Sequence, residues 1–219
     1  IPAVENGLMT PLVMSFVCLN GNYADDDPCF GEAFTRLGTA ENPRGAVAFI
    51  GNGEHWSHTR YNDAMAISVF ERIVDADVTN LGSMLNAGRF RFHDYFPLEM
   101  EFDVHGEESV EFYCHIYNLL GDPELNLWKQ QPTEMHVDFP NEISAGATVL
   151  ELPVLEADGN YCIGARVGVV QNETLLGYGF TGVDGIATVE LDGVVADQDI
   201  TITVTRSGRL PNQTEIDCD

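Results

Sequence analysis

The sequence has little positive charge and contains only one lysine, Lys129. Ten lysine and arginine residues stand against 35 aspartate and glutamate residues, which gives a formal net charge of −25 at pH 7. A surface this acidic would repel phosphate groups, so the composition argues against a nucleic-acid partner. It is compatible with a secreted protein or with one that binds cations.

Long apolar runs are absent as well. The sequence has no run of about 18 apolar residues, so we expect no membrane span. It also lacks a charged segment followed by an apolar one, and it begins with isoleucine. We therefore expect a processed or excised piece. Hydrophobic residues still make up 44% of the chain, which is enough for a folded core.

The five cysteines lack the C-x-x-C spacing of a zinc knuckle, so no zinc site of that type is expected. They are Cys18, Cys29, Cys114, Cys162 and Cys218. An odd number leaves at least one thiol free. Cys162 and Cys218 both lie in the second half, where they either form a disulfide or stay free, and their spacing does not decide between the two.

Residues 1–130 alternate between two kinds of pattern. Short apolar runs predict strands over 11–18 and 45–53 that are buried on both faces. Apolar residues at helical spacing predict helices over 30–37, 61–74, 78–96 and 107–120, the first beginning at Asp25–Asp27 and Pro28. This alternation predicts a three-layer α/β domain with parallel strands. Cys29 and Cys114 would lie on apolar helix faces.

Residues 131–219 have a different pattern, with short alternating runs about ten residues apart. Those runs cover 133–139, 147–154, 165–171, 175–181, 186–192 and 199–206, and Asp-Gly pairs lie between several of them. The pattern predicts an antiparallel sandwich of immunoglobulin type.

Cys18 and the segment GNGEHWSH, residues 51–58, each follow a predicted strand of the first domain. Functional groups of open α/β sheets gather where strands end at their carboxyl edge, so we expect the two segments to be neighbours. Cys18 is then either a buried thiol at a strand end or a nucleophile at the rim of a site.

The blocks CLNGNY at 18–23 and PCFGEAF at 28–34 resemble the region around the catalytic cysteine of gingipain-like cysteine peptidases. The runs GAVAFIG at 45–51 and YNLLGDPEL at 117–125 resemble later parts of the same domain. The resemblance implies an α/β three-layer caspase-like half domain, residues 1–130, followed by an all-β immunoglobulin-like sandwich, residues 131–219.

The resemblance also implies roles for individual residues. Cys18 would be the nucleophile, its backbone amide would line the oxyanion hole, and Trp56 would form a wall of the substrate pocket. The family's general base is a histidine in a His-Gly motif upstream of the cysteine, but no histidine precedes Cys18 in this sequence. We therefore expect the base on the upstream half of the same precursor, present as a separate chain, and little activity from this chain alone.

Other residues near Trp56 leave alternatives open. Lysine-specific members of the family have an acid shortly after this tryptophan, whereas Thr59 and Arg60 follow here; Arg60 would favour an acidic or uncharged substrate side chain. His55 or His58 could replace the missing base, although a polar loop explains both.

No cofactor is required for the thiol chemistry that the resemblance implies. Asp25–Asp27 could bind calcium, but a role at the start of the first helix is sufficient to explain them. The resemblance implies a structural calcium elsewhere.

Two main hypotheses follow for function. The first is a secreted cysteine endopeptidase that acts on a peptide or protein substrate. The second is a non-catalytic structural or adhesive surface protein derived from a peptidase, which would associate through an open sheet edge. A calcium- or carbohydrate-binding module is a third hypothesis, for which the sequence contains no motif.

Overall fold

The structure is a computed structural model that describes residues 3–25, 27–39, 41–75 and 78–218. The chain divides into two compact units, Ile1–Leu127 and Trp128–Asp219. Among the helices in the described part, none has the length and apolarity needed to cross a bilayer.

A mixed three-stranded sheet, in the order β1-β2-β3, organises the first unit. Its strands are β1 (Leu12–Ser15), β2 (Ala48–Asn52) and β3 (Tyr117–Leu120). β1 runs parallel to β2, with Leu12 opposite Ala48, and β3 runs antiparallel to β2, with Asn118 opposite Gly51. The parallel pair was expected, but the helix predicted over 107–120 was wrong at its end. Pairing with the buried strand β2 outweighs the helical pattern of these residues.

Five helices surround this sheet in the described residues. They are α1 (Phe30–Thr35), α2 (Thr59–Asp75), α3 (Leu81–Tyr95), α4 (Phe102–His105) and α5 (Val110–Ile116), and a 3₁₀ turn covers Gly106–Glu108. Side-chain caps fix where several of them begin. Asn80 Oδ1 accepts from the Ser83 N–H at 2.8 Å at the start of α3, and Ser109 Oγ accepts from the Phe112 N–H at 3.2 Å at the start of α5.

The start of α1 corrects two expectations. Its N-cap is Cys29, whose Sγ accepts from the Glu32 N–H at 3.5 Å while the Glu32 carboxylate accepts from the Cys29 N–H at 3.0 Å. The helix therefore begins after the acidic segment predicted to start it, of which Asp26 lies outside the described residues. Cys29 is a half-buried cap and not a core thiol on a helix face.

Helices cover both faces of β2, whose five residues are all buried. Successive side chains of a strand point to opposite faces. Phe49 meets α1, where its ring lies 5.9 Å from that of Phe30. Ile50 joins a buried cluster formed mainly by α2, α3 and α5. The carboxyl end of β2 is thus held from both sides.

Three buried tyrosines form the polar part of this core: Tyr61, Tyr113 and Tyr117. The rings of Tyr61 and Tyr113 are stacked with their centroids 4.9 Å apart. The pKa of both phenols is raised to about 12, mainly by burial, and for Tyr61 the hydrogen bond to the Glu99 carboxylate contributes to this rise. Burial also raises the pKa of Tyr117 well above its usual value. All three therefore remain neutral hydrogen-bonding groups at ordinary pH.

The second unit is all-β in its described part. Its strands are β4 (Met135–Val137), β5 (Glu142–Ile143), β6 (Val149–Glu156), β7 (Arg166–Gln171), β8 (Thr174–Phe180), β9 (Ile186–Glu190), β10 (Ile200–Thr205) and β11 (Asn212–Cys218). They form a five-stranded sheet, β5-β11-β10-β7-β8, and a three-stranded sheet, β4-β6-β9. The alternating runs in the sequence predicted six of these strands; β5 and β11 were not predicted.

One buried cluster joins side chains from both sheets of this unit. β6 and β9 alternate buried and exposed residues, as expected for strands with one face on a core. Cys162 and Cys218 are both buried free thiols, so the structure has the free form and not the disulfide. Cys162 Sγ lies 3.7 Å from Met135 Sδ, and burial, followed by its contact with Glu156, raises its pKa to about 11.

The raised tyrosine pKa values predict an alkaline loss of stability. Between about pH 10, where unfolded tyrosine ionises, and pH 12, the native state retains protons that the unfolded state has lost. The free energy of unfolding should therefore fall as pH rises through this range. Ultraviolet spectrophotometric titration should show a late phase equal to three of the seven tyrosines.

Tyr113→Phe should reduce this late phase from three tyrosines to two. Tyr161→Phe, at a 62% exposed residue of the second unit, is the control and should leave the phase unchanged. Titration of all seven tyrosines in one early phase by a protein that is still folded would contradict the prediction.

Candidate active site

Cys18 lies in a loop that follows β1, beyond the last strand residue Ser15, and its side chain is exposed. The sequence placed it at the end of the strand, but the chain leaves the sheet earlier. Leu19 has a φ of +61°, a left-handed conformation that turns the chain sharply. The Leu19 N–H then donates to the Glu54 carbonyl at 3.4 Å. The expected neighbourhood of Cys18 and residues 51–58 is therefore present.

Backbone contacts hold this loop against the end of β2. The Gly21 N–H donates to the Asn52 carbonyl at 2.9 Å, and the Gly31 N–H of α1 donates to the Asn20 carbonyl at 2.9 Å. A Cβ on Gly21 would lie 2.7 Å from the carbonyl carbon and oxygen of Gly51. Glycine is needed at this position because two backbones touch here.

The Cys18 sulfur contacts a hydroxyl from the loop that follows β2. Cys18 Sγ lies 3.3 Å from Ser57 Oγ, and Ser57 Oγ also accepts from Asn62 Nδ2 of α2 at 3.1 Å. Asn62 Oδ1 in turn accepts from the Tyr117 hydroxyl at 2.7 Å. Four side chains thus form one line of hydrogen bonds from the solvent-exposed thiol into the buried core.

Trp56 lies on the same loop as Ser57 and is 70% exposed. Its recorded ring contact is with His55, with centroids 6.0 Å apart. Because the side chain is so exposed, it does not cover an edge of the core in the described structure. The loop itself is anchored at its far end, where the His58 N–H donates to the buried Tyr113 hydroxyl.

Arg60 occupies the first turn of α2 and interacts with the segment that follows α3. Its guanidinium lies 3.4 Å from Glu99 Oε1, and its central carbon lies 4.7 Å from the Phe96 ring. The Tyr61 hydroxyl donates to the same Glu99 carboxylate at 2.8 Å. The Arg60 side chain is nevertheless 62% exposed and stays accessible from solvent.

The histidines near Trp56 form no catalytic pair with the thiol in the described structure. His55 and His58 are both exposed, and the recorded hydrogen-bond partner of Cys18 is Ser57. A thiol nucleophile needs a base or a positive neighbour to become a thiolate. Within the described residues, the site therefore contains a thiol and its supports but no paired histidine.

The described residues hold no group of three or more His, Cys, Asp or Glu side chains placed to bind an ion. Among these residues, the calcium that the resemblance implies is therefore not shown. An apolar groove of about 520 Å³ lies elsewhere in the first unit, lined by Arg89, Phe90, Met100 and Cys114 among others. Cys114 is half-buried there, and burial raises its pKa.

Ser57, Asn62, Tyr113 and Tyr117 were not predicted as site residues. Ser57 is 39 residues from Cys18 in sequence, and Asn62 is 55 residues from Tyr117. Only the packed fold brings them together, so no local pattern could reveal them. The one available signal was that Ser57 directly follows Trp56.

Comparison with known proteins gives a consistent result. A family model, Peptidase family C25, matches residues 1–128. Gingipain R2 of Porphyromonas gingivalis (strain ATCC 33277) is 27% identical over 208 residues, which cover 93% of this chain and 26% of that protein. Lys-gingipain HG66 of the same species is 22% identical and covers 96% of this chain and 12% of its own length.

Solved structures agree in fold. The crystal structure of the Arg-specific cysteine proteinase gingipain R (RgpB) aligns with a TM-score of 0.73 at 23% identity, covering 98% of this chain and 46% of that one. A complex of Porphyromonas gingivalis RgpB pro- and mature domains aligns with a TM-score of 0.75 at 21% identity and covers 48% of that chain. This chain thus has the mixed α/β, several-sheet fold of gingipain R but spans less than half of its length.

The contact between Gly21 and Gly51 predicts the effect of a single methyl group. Gly21→Ala should push the Cys18 loop away from β2 and destabilise the first unit by about 1–3 kcal/mol, as overpacking does. Chemical denaturation and hydrogen exchange of the Gly21 amide proton would measure the change. Gly168→Ala is the control, because its Cβ would meet nothing within 4 Å. Equal stability of the two variants would contradict the inferred contact.

Proposed function

The chain belongs to peptidase family C25, and we propose that it carries the nucleophile-bearing part of a gingipain-type cysteine endopeptidase. The observation that carries the proposal is the position of Cys18. Its exposed sulfur lies beyond the carboxyl end of a strand that is parallel to its neighbour, 3.3 Å from a hydroxyl on the loop that presents Trp56. Chemistry in α/β sheets of this kind takes place at that edge.

The proposed reaction is acyl transfer to the thiolate of Cys18. The sulfur attacks a peptide carbonyl carbon, a C–S bond forms, and the oxygen of the tetrahedral intermediate is stabilised by backbone N–H groups that include that of Cys18. The C–N bond then breaks, the base returns the thiol proton to the leaving amine, and water hydrolyses the thioester. This chemistry requires no cofactor in the family.

The base of this reaction is proposed to lie outside the 219 residues, on the upstream half of the same precursor. Support comes from the coverage, because the chain aligns with 46% of the gingipain R structure. It also comes from β1, which has a described strand partner on one side only. An unpaired parallel edge beside the nucleophile would accept a further strand, and that strand could bring a histidine to the thiol.

Trp56 and Arg60 are proposed to bind the substrate side chain that precedes the scissile bond. The exposed indole of Trp56 offers an apolar wall next to the thiol loop. The Arg60 guanidinium, held by Glu99 but accessible, would select an acidic or uncharged side chain. Peptide substrates that differ only in an acidic, uncharged or basic side chain before the scissile bond would compare these preferences through kcat/KM.

We assign residues 1–130 to the caspase-like half domain and residues 131–219 to an immunoglobulin-like sandwich, since the second unit packs a five-stranded and a three-stranded sheet around one core. We also propose a secreted or cell-surface location, which the net charge of −25 supports. A structural calcium stays an expectation from the family resemblance.

Trp56→Ala should separate a pocket wall from a structural role. In the assembly of this chain with its upstream half, we expect KM for peptide substrates to rise about tenfold or more, while the thermal midpoint stays unchanged because the side chain is 70% exposed. A fall of several degrees in that midpoint without a change in KM would contradict the pocket assignment.

Labelling with a peptidyl electrophile tests the nucleophile itself. In the same assembly, mass spectrometry should find the label on Cys18, and Cys18→Ala should abolish both labelling and hydrolysis, the latter by at least about 10³-fold. Cys114→Ser, which changes a half-buried thiol in a separate groove, is the matched control. This variant should still be labelled at Cys18.

No labelling of Cys18 with the upstream half present would overturn the proposal. That outcome would favour the second hypothesis, a non-catalytic structural or adhesive protein that associates through the open edge of β1.

A further inference from the structure

We propose that Ser57 is a positioning residue that donates its hydroxyl hydrogen bond to Cys18 Sγ and stabilises the thiolate. The inference deepens the proposed function, on which it rests for the reaction that Cys18 performs. It concerns a pair of side chains on two different loops, 3.3 Å apart between Sγ and Oγ.

The direction of this hydrogen bond follows from the groups behind Ser57. The Tyr117 hydroxyl donates to Asn62 Oδ1 at 2.7 Å, which leaves the amide nitrogen of Asn62 on the side of Ser57. Asn62 Nδ2 donates to Ser57 Oγ at 3.1 Å. An amide NH₂ can only donate, so the serine oxygen is an acceptor in that bond and its own proton remains to be used.

The Cys18 sulfur, 3.3 Å from Ser57 Oγ, is then the neighbour to which this remaining proton can be donated. A neutral thiol and a hydroxyl can each donate to the other, but a thiolate can only accept. The bond therefore persists on ionisation and becomes charge-assisted, which favours the thiolate over the thiol. Asn62 is buried, with 6% of its surface exposed. Water therefore has little access to the hydrogen bonds that join Ser57 to Asn62 and Tyr117.

Both ends of the Ser57 loop are anchored, which keeps the hydroxyl in place. The Glu54 N–H donates to Asn52 Oδ1 at 2.7 Å at the start of the loop, and the His58 N–H donates to the Tyr113 hydroxyl at its end. A hydroxyl on a loop held at both ends loses little conformational freedom when it binds the sulfur.

Other titratable groups close to this pair must be considered in a pH profile. Glu54, His55 and His58 belong to the same loop as Ser57, and Tyr113 and Tyr117 come from α5 and β3. The two tyrosines stay neutral, since burial raises the pKa of each. All five groups are retained when Ser57 alone is changed, so a comparison of variants isolates the hydroxyl.

The test is the pH dependence of Cys18 alkylation by iodoacetamide in the chain as it stands, quantified at each cysteine by peptide mass spectrometry. The thiolate displaces iodide and forms a C–S bond, so no histidine base is needed. Ser57→Ala should raise the pH midpoint of the Cys18 rate by about half to one unit. The rate at neutral pH should fall about two- to threefold while the alkaline plateau rises, because a more basic thiolate is the better nucleophile.

Ser57→Thr keeps the hydroxyl and should restore the midpoint. Ser83→Ala, at an exposed position of α3, is the control and should not move it. A change in access alone would scale the rate equally at every pH and leave the midpoint in place, and that result for Ser57→Ala would overturn the proposal.

The two proposals fail separately. If Ser57→Ala shifts the pH midpoint of Cys18 alkylation but the peptidyl electrophile does not label Cys18 in the assembly, the role of Ser57 is supported and the peptidase proposal is contradicted. If Cys18 is labelled in the assembly but Ser57→Ala leaves the pH midpoint of Cys18 alkylation unchanged, the peptidase proposal is supported and the role of Ser57 is contradicted.

Discussion

The site depends on the close approach of two backbones, Gly21 in the Cys18 loop and Gly51 in β2. β2 is buried on both faces and paired on both edges, so it provides a rigid reference for whatever is attached to its end. Hydrogen bonds from Leu19 and Gly21 tie the loop to the residues at that end. The position of the thiol is therefore set by the strand next to its own.

The surrounding helices contact different loops of the site. α1 is short, but in its first turn the Gly31 N–H donates to the Asn20 carbonyl of the Cys18 loop, and Gly31 packs against the Phe49 ring. α2 instead supplies Asn62, and α5 supplies Tyr113, each reaching the loop after β2 from the opposite face of the sheet. The two loops of the site are thus supported by different layers, and the loops meet at the end of β2.

The sequence predicted those parts of the structure that depend on local pattern. The parallel pair β1 and β2, the long helix α2 and most strands of the second unit follow from apolar periodicity and turn residues. β3 was missed because residues 117–120 are mostly apolar and directly continue α5, so only their pairing with β2 makes them a strand. Cys18 could be singled out from its place after an apolar run, whereas Ser57 and Asn62 become partners only after folding.

The state of the sulfur atoms has a practical consequence. All five cysteines are free thiols in the structure, and Cys162 and Cys218 are buried in the core of the second unit. No disulfide joins the described residues of either unit, so a reducing agent breaks no bond that holds them together. A thiol enzyme loses activity when its sulfur is oxidised. Reductant that keeps Cys18 as a thiol is therefore compatible with the fold of both units.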